Sequence, residues 1–319
     1  MNLIDKILTR NEFLEKPPVL VDIGASGQIH ERWKKIAKYS VCIAFDADDR
    51  DLEYSRKESK DYKELIVINS LVNDVESENQ KFYLTAHPHC SSMLPPDSEN
   101  LKGWSYAPKF EIDKVVEIKA TTIGKSLDKL NISYIDWMKS DSQGLDLRLF
   151  KSIGENIRNN IFVVEFEPGI MHAYQGEDKM YQVLEYMTKE NQFWMSDFIL
   201  KGAQKFDSNY FNKFYSTPFK KKLAEHSLKK SPGWAEMIYI NSFNNSSKLT
   251  ERDFLLGWIV STLQQQHGFA YELALKGKQL FDDNQFAEME KHSEKKIKNG
   301  VYSTKLFLPT IKNLVKRFR

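Results

Sequence analysis

The sequence predicts an α/β fold: a mostly parallel twisted sheet with helices on both faces and an antiparallel edge pair. Three observations carry this. Apolar runs alternate with helix-compatible segments along much of the chain. The early runs, PVLVDIG and SVCIAFDAD, are apolar almost throughout, as strands covered on both faces are. Finally, several runs end in a carboxylate beside a turn, which is where open α/β sheets place their ligands.

In chain order, residues 2–14 fit a short amphipathic helix closed by Pro17 and Pro18. PVLVDIG is strand one, followed by a helical segment around Gln28–Lys38 and by SVCIAFDAD as strand two. Residues 49–60 are charged and helix-compatible, and ELIVINSLV is a third buried strand. Residues 73–113, with their prolines and serines, are expected to be largely loop. The alternation resumes with KVVEIKATTI as strand, GKSLDKL as helix, SYIDWMKSD as strand and GLDLRLFKSI as helix. NIFVVEFEP is a further strand and DKMYQVLEYMTKEN a further helix. FWMSDFIL and AEMIYINSF follow with no clear helix between them, which predicts the antiparallel pair. NSFNNSSK marks a boundary, so residues 1–245 form one domain and residues 246–319 a helical hairpin with a basic tail.

Charge narrows the partners. Residues 291–319 hold seven Lys and two Arg against one Glu, +8, which leaves −6 for residues 1–290 of a chain at +2 overall. A mildly acidic body argues against nucleic acid. No apolar run reaches the length of a membrane span, the N-terminus lacks a signal-peptide pattern, and two cysteines fit a reduced, cytoplasmic protein.

The strand ends carry the chemistry. Strand one delivers Asp22 and the turn Gly24–Ala25–Ser26–Gly27, and strand two delivers Asp46, 22 residues past Gly24. Strand three ends in Asn69 and Ser70; the next two buried strands deliver Asp141, with Gln143 and Gly144, and then Glu165 and Glu167. A carboxylate that far past a glycine turn suits ribose hydroxyls. Acidic neighbours suit a cationic ligand. The turn reads G-A-S-G-Q-I, not the G-x-G-x-x-G that cradles a pyrophosphate, which disfavours a nicotinamide-dependent oxidoreductase. HPHC at 87–90 lacks a second ligand pair at zinc spacing. Asp141 with Glu165 or Glu167 has the chemistry for magnesium, but no metal is expected.

LVDIGASG with Arg32 and Trp33, IAFDAD, HCSSML, WMKSDSQGLDL, VVEFEPGIMHAYQGED and AEMIYIN occur in an order that resembles the FkbM-type methyltransferases, over roughly residues 19–240. Gln28 stands where that family often has glycine, and Asp46 where glutamate is commoner. The resemblance implies a Rossmann-like class I methyltransferase fold and methyl transfer from S-adenosylmethionine. The expected acceptor is a hydroxyl of a sugar, polysaccharide, glycolipid or related natural product. On this reading Asp22, Gly24, Ala25, Gly27, Asp46, Asn69, Ser70 and Asp141 hold the cofactor. Ser91, Ser92, Gln143 and Tyr174, on the 73–113 and 168–177 loops and the turn between, face the acceptor. His172, Glu167 and Asp141 are the candidate bases, with His87 and His89 behind them. A non-catalytic scaffold recruiting glycan-assembly enzymes is the alternative of a different class. The tail FLPTIKNLVKRFR, within residues 305–319, is a basic amphipathic segment that suits a peripheral membrane contact, and the hairpin suits core or homodimer packing.

Overall fold

A computed structural model describes residues 2–24, 32–47, 61–190, 192–244 and 249–301. Two compact units result, one formed by residues 17–243 and the other by residues 1–16 together with 244–319. The N-terminal residues, expected with the sheet domain, therefore group with the C-terminal helices.

The first unit is α/β. Its seven-stranded sheet contains β1 (Val19–Ile23), β2 (Val41–Phe45), β3 (Glu64–Ile68), β7 (Trp137–Ser140), β8 (Val163–Phe166), β9 (Phe193–Ala203) and β10 (Ser231–Asn241). Their order is β3-β2-β1-β7-β8-β10-β9. The pairs from β3 to β8 are parallel, whereas β10 runs antiparallel to both β8 and β9. The last strand is thus inserted inside the sheet, next to β8, and β9 becomes the edge. A doubly wound dinucleotide fold would continue in parallel order to its sixth strand. All residues of β1, β2 and β8 are buried, as the near-continuous apolar runs required.

Strand alternation gives the sheet two unlike faces. Val21, Ile23, Ile43, Phe45, Met138 and Phe166 enter the main apolar core. The opposite face carries Trp137, packed edge-on against Trp33 at 5.9 Å, and a row of charged groups. Helix Ile123–Lys129 starts at Thr122, whose hydroxyl accepts the Lys125 N–H at 3.1 Å, and buries Ile123 and Leu127.

Residues 73–113 are more ordered than their composition predicts. β4 (Leu71–Val72), β5 (Ser77–Thr85) and β6 (Ile112–Thr121) form a separate three-stranded sheet in the order β4-β6-β5. β5 was hidden because the first half of SENQKFYLT is polar throughout and shows no apolar alternation. Two helices also join β9 to β10 where none was expected, Ser208–Phe214 and Pro218–Ser227. Their apolar residues are largely exposed and mark no buried stripe. Of the helical segment expected at Gln28–Lys38, the described part is a turn and the short helix Ala37–Tyr39; residues 28–31 and the segment 49–60 lie outside the described residues.

In the second unit the hairpin Glu251–Leu263 and His267–Leu280 is joined by a third helix, Gln285–Val301, on part of the sequence taken for tail. A capping box between Thr250 and Asp253 starts the first of these helices. Gly277 lets the second approach the third, since a Cβ there would lie 2.2 Å from the Phe286 ring. Helices Leu3–Leu8 and Asn11–Glu15 complete the unit: Arg10 reaches Glu12, Glu251 and Asp283, and Lys6 reaches Glu288 at 2.7 Å. Phe13 is buried beneath the Arg252 guanidinium, 5.4 Å from its ring centre. Phe13→Ala is expected to lower stability by ~3–5 kcal/mol in urea unfolding. A loss below ~1 kcal/mol would mean that residues 2–16 do not belong to this unit's core.

Candidate functional site

One row of charge crosses the sheet. Pairing aligns Asp22 of β1 with Lys139 of β7, and Lys139 with Glu165 of β8, so all three share a face. Two residues further along the same face stand Gly24, Asp141 and Glu167, at the carboxyl ends of their strands. Lys139 Nζ lies 3.3 Å from Asp22 Oδ1. Burial works to lower the Lys139 pKa, but Asp22, Asp141, Glu167 and Glu165 overcome it, and the ammonium is held charged. Glu165 also accepts the Trp137 indole N–H at 2.6 Å and lies 3.6 Å from Arg32. Burial nonetheless pushes Glu165 up to about 7.

The turn after β7 is tied by Asp146. Its carboxylate accepts from Ser140 Oγ at 2.7 Å, from the Ser142 N–H at 2.9 Å and from the Glu167 N–H at 2.9 Å. The first turn of helix Asp146–Ser152 thereby fixes the ends of both β7 and β8. Gln143 follows with φ +56°, a left-handed conformation that an unbranched amide tolerates only when held. Its side chain donates to Asp141 and accepts the Tyr174 hydroxyl at 2.9 Å, while its carbonyl accepts Ser92 Oγ at 2.8 Å. Gly24, at φ +76°, is needed because a Cβ there would sit 2.3 Å from the Asp141 carbonyl oxygen. The opening glycine therefore serves the approach of two strand ends as well as the cleft beside it.

Two clefts meet at Asp141 and Gln143. The first holds about 700 Å³ of open space and is lined by Gly24, Phe45, Asp46, Ser70 and Ser91, among others. Among the described residues its lining holds the carboxylates Asp46 and Asp141, with His89 at the boundary. The second holds about 670 Å³ and is walled by Tyr106, Phe110, Met171, Tyr174 and Trp234, with Glu167 and Glu177 as its further carboxylates. His89, Asp141 and Gln143 line both clefts.

The wall of the second cleft is rigidly built. Glu177 accepts the Ala173 N–H at 2.7 Å and pairs with Lys179 at 2.6 Å, and Lys179 also donates to the Met171 carbonyl. Asp178 pairs with Arg148 at 3.0 Å and its N–H donates to the Gly144 carbonyl at 2.8 Å. The Tyr174 hydroxyl also donates to the Cys90 carbonyl at 2.9 Å, so this loop, the 88–92 segment and the Gln143 turn form one network. Asp141 and Glu167 are both pushed above the usual carboxylate range, first by burial and then by negative neighbours. Lys139 offsets this only in part.

Of the expected cofactor residues, Gly24, Asp46, Ser70 and Asp141 line the first cleft. Asp22 lies one pleat behind it, buried against Lys139, and Asn69 is exposed and lines neither cleft. Ala25 and Gly27, with Gln28, lie outside the described residues. Of the expected acceptor residues, Gln143 and Tyr174 line the second cleft, whereas Ser91 lines the first. Ser92 is buried and serves the turn through its bonds to the Gln143 carbonyl and the Leu94 N–H. His172 is exposed and lines neither cleft, because Met171, Ala173 and Tyr174 take the inward positions of its loop. Of the candidate bases, Asp141 and Glu167 stand at the cleft, and His89 at the boundary. His87 and His89 have ring centres 5.0 Å apart. Among the described residues no group of three or more His, Cys, Asp or Glu side chains is arranged to hold a metal ion. The residues the sequence did not single out are Lys139, Tyr106, Phe110, Met171 and Trp234. Lysine inside the apolar run WMKSD was the one signal available for them.

The chain shows no significant match to any protein-family model, to any curated protein or to any solved structure.

Two stability measurements test this electrostatic account. Lys139→Ala is expected to cost ~3–5 kcal/mol at neutral pH, because it leaves buried carboxylates without their cation. Urea unfolding should show the loss shrinking as the pH is lowered, since those carboxylates can then take up protons. The second concerns Glu165. Its folded pKa is raised to about 7 from an unfolded 4.5, so its contribution is fully present below 4.5 and lost as pH rises through 7. Thermal unfolding of Glu165→Gln should therefore have a flatter pH dependence than wild type between those values. Parallel curves would refute the assignment.

Proposed function

We propose that this chain is an S-adenosylmethionine-dependent O-methyltransferase of the FkbM type, acting in the cytoplasm on a hydroxyl of a sugar, glycolipid or related natural product. The observation that carries the reading is the pair of clefts that meet at Asp141 and Gln143, one lined by Asp46 and Asp141, the other aromatic. A two-substrate transfer needs such a junction, because the reacting atoms must meet in line.

The first cleft fits the cofactor on its own residues. Asp46, at the end of the second strand, has the position to accept ribose hydroxyls. Phe45, Leu71 and Met93 give apolar walls for a base, and Asp141 offers negative charge to a cation. The turn G-A-S-G-Q-I lacks the glycine spacing that cradles a pyrophosphate, which disfavours a dinucleotide. When bound, S-adenosylmethionine supplies an electrophilic methyl group on a sulfonium.

The chain's own residues do the rest. Tyr106, Phe110 and Trp234 offer ring faces to the apolar side of a sugar-like acceptor, and Met171 closes the floor. Glu167 is the residue placed to take the acceptor hydroxyl proton on its carboxylate. Its pKa is raised by burial and by Asp141. A cation beside Asp141 offsets that second cause and brings Glu167 back toward the range of a working base. Gln143, fixed by Tyr174 and Ser92, orients Asp141.

Calorimetric titration is the first test. S-adenosylhomocysteine should bind with micromolar affinity and NAD should not, and Asp46→Ala should weaken the former at least ~30-fold, the loss of a charge-assisted pair of hydrogen bonds. Absence of binding by the wild type would turn the reading toward a scaffold; preference for NAD would overturn it. Once an acceptor is in hand, Glu167→Gln should lower kcat by about 10²–10⁴ while S-adenosylhomocysteine affinity holds. A full-rate Glu167→Gln enzyme would remove Glu167 from the mechanism.

A further inference from the structure

The chain between β9 and β10 presents a surface that neither reaction cleft uses. Helices Ser208–Phe214 and Pro218–Ser227 each turn one residue inward, Phe211 and Ala224. Each also turns an apolar pair, four residues apart, to solvent. Tyr210 and Phe214 are 59% and 66% exposed, and Phe219 and Leu223 are 76% and 56% exposed. Two such pairs on consecutive helices are more than the scattered single apolar residues of an ordinary surface.

The outward residues stand on a built support. Phe214 stacks on Phe206 with ring centres 6.1 Å apart, and Phe206 in turn meets buried Phe211. Gln204 Nε2 donates to the carbonyls of Glu225 at 3.1 Å and Leu228 at 3.4 Å, pinning the end of the second helix to the end of β9. Thr217 caps that helix through the Lys220 N–H, with Pro218 in its first turn.

Charge identifies what the surface meets. Residues 204–230 hold seven lysines against Asp207 and Glu225, a local charge of +5 in a body that is otherwise acidic. At about 100° per residue, Lys220 and Lys222 fall on either side of the Phe219–Leu223 stripe. Lys213 neighbours Phe214, and Lys229 and Lys230 follow the second helix; all five are exposed. Apolar anchors edged by lysines are the pattern of a helix that lies in a headgroup layer. A second copy of this chain would bring +5 against +5, which opposes self-association through this face.

We propose that the 205–230 excursion is a membrane-interface docking surface, selective for bilayers that carry anionic lipid. Its aromatic and leucine side chains enter the headgroup–acyl boundary and its lysines meet the lipid phosphates. The position gives docking a consequence. A hollow lined by Leu200, Lys201 and Lys230 continues to Tyr106 and Trp234, which also wall the aromatic cleft. Docking therefore sets the mouth of that cleft beside the bilayer, where an acceptor carried on a lipid is presented to it. The docking itself stands on the excursion's own geometry and does not depend on methyl transfer.

The experiment is co-sedimentation of the full chain with vesicles of phosphatidylcholine alone and of phosphatidylcholine doped with phosphatidylglycerol. Wild type should pellet with the doped vesicles at least tenfold more strongly than with the neutral ones, and less so as salt is raised. Lys220→Glu with Lys222→Glu should weaken partition by at least ~25-fold, about fivefold for each lysine. Phe214→Ser with Phe219→Ser should weaken it about tenfold or more, because both rings leave the interface. Far-ultraviolet circular dichroism of the variants should match wild type, as all four side chains are exposed. Three results would overturn the proposal: no binding by wild type, equal binding to neutral and doped vesicles, or undiminished binding by both variants, which would place the contact elsewhere, residues 305–319 included. Lipid-free self-association that Phe219→Ser abolishes would instead make the face an interface between copies. S-adenosylhomocysteine binding by the same variants keeps this outcome separate from the fate of the methyltransferase reading.

Discussion

The Lys139 ammonium is the constraint around which the sheet unit is arranged. It sits in a central strand, where an unpaired charge would cost several kcal/mol. It is tolerated because Asp22 meets it directly and Asp141, Glu165 and Glu167 surround it at the strand ends. The relation is mutual, since four carboxylates gathered on one sheet face would repel one another without a cation among them. Arg32, 3.6 Å from Glu165, adds a second cation at one end of the row. Burial and acidic neighbours raise Asp141 and Glu167 above the usual carboxylate range, and on the proposed reading a cation beside Asp141 would relieve part of that repulsion.

Around this centre the molecule spends its polar groups on rigidity. Asp146 binds the ends of β7 and β8 to one helix turn, and Gln143 is held in a left-handed conformation by three separate partners. The Glu177–Lys179 pair fixes the loop that carries Tyr174 and Met171. These are positioning residues; the groups they position are Asp141, Glu167 and the aromatic walls. An alignment-dependent reaction needs this kind of support more than it needs reactive side chains.

What the sequence revealed was what local pattern encodes. β1, β2 and β8 announce themselves as apolar runs, and Asp46 and Asp141 follow because strand ends define the rim. The antiparallel pair at residues 193–241 was legible too, but not the fact that its second strand enters the sheet beside β8, since both are equally apolar. β5 escaped notice because its apolar residues are confined to its second half, and the two helices before β10 because most of their apolar residues face solvent, where periodicity carries no burial signal. In the site, Glu167 and Asp141 were read from strand ends, while Tyr106 and Phe110 come from one distant segment and Trp234 from another, with no common sequence mark. His172 misled for a simple reason: chemistry was inferred from residue type in a loop whose inward positions are taken by apolar neighbours.

The placement of residues 2–16 has a consequence for how the chain matures on the ribosome. Their ionic partners Glu251, Asp283 and Glu288 lie 241 to 282 positions later. Residues 2–16 must therefore wait for residues 251–288. The intervening 17–243 is one contiguous stretch, and β8 acquires its second neighbour only when residues 231–241 appear. Assembly is thus ordered by synthesis: the sheet can close before the helical unit, which is stitched from segments on either side of it. The large entropic cost of closing that long loop falls on an already folded sheet unit, which shortens the effective span to be bridged.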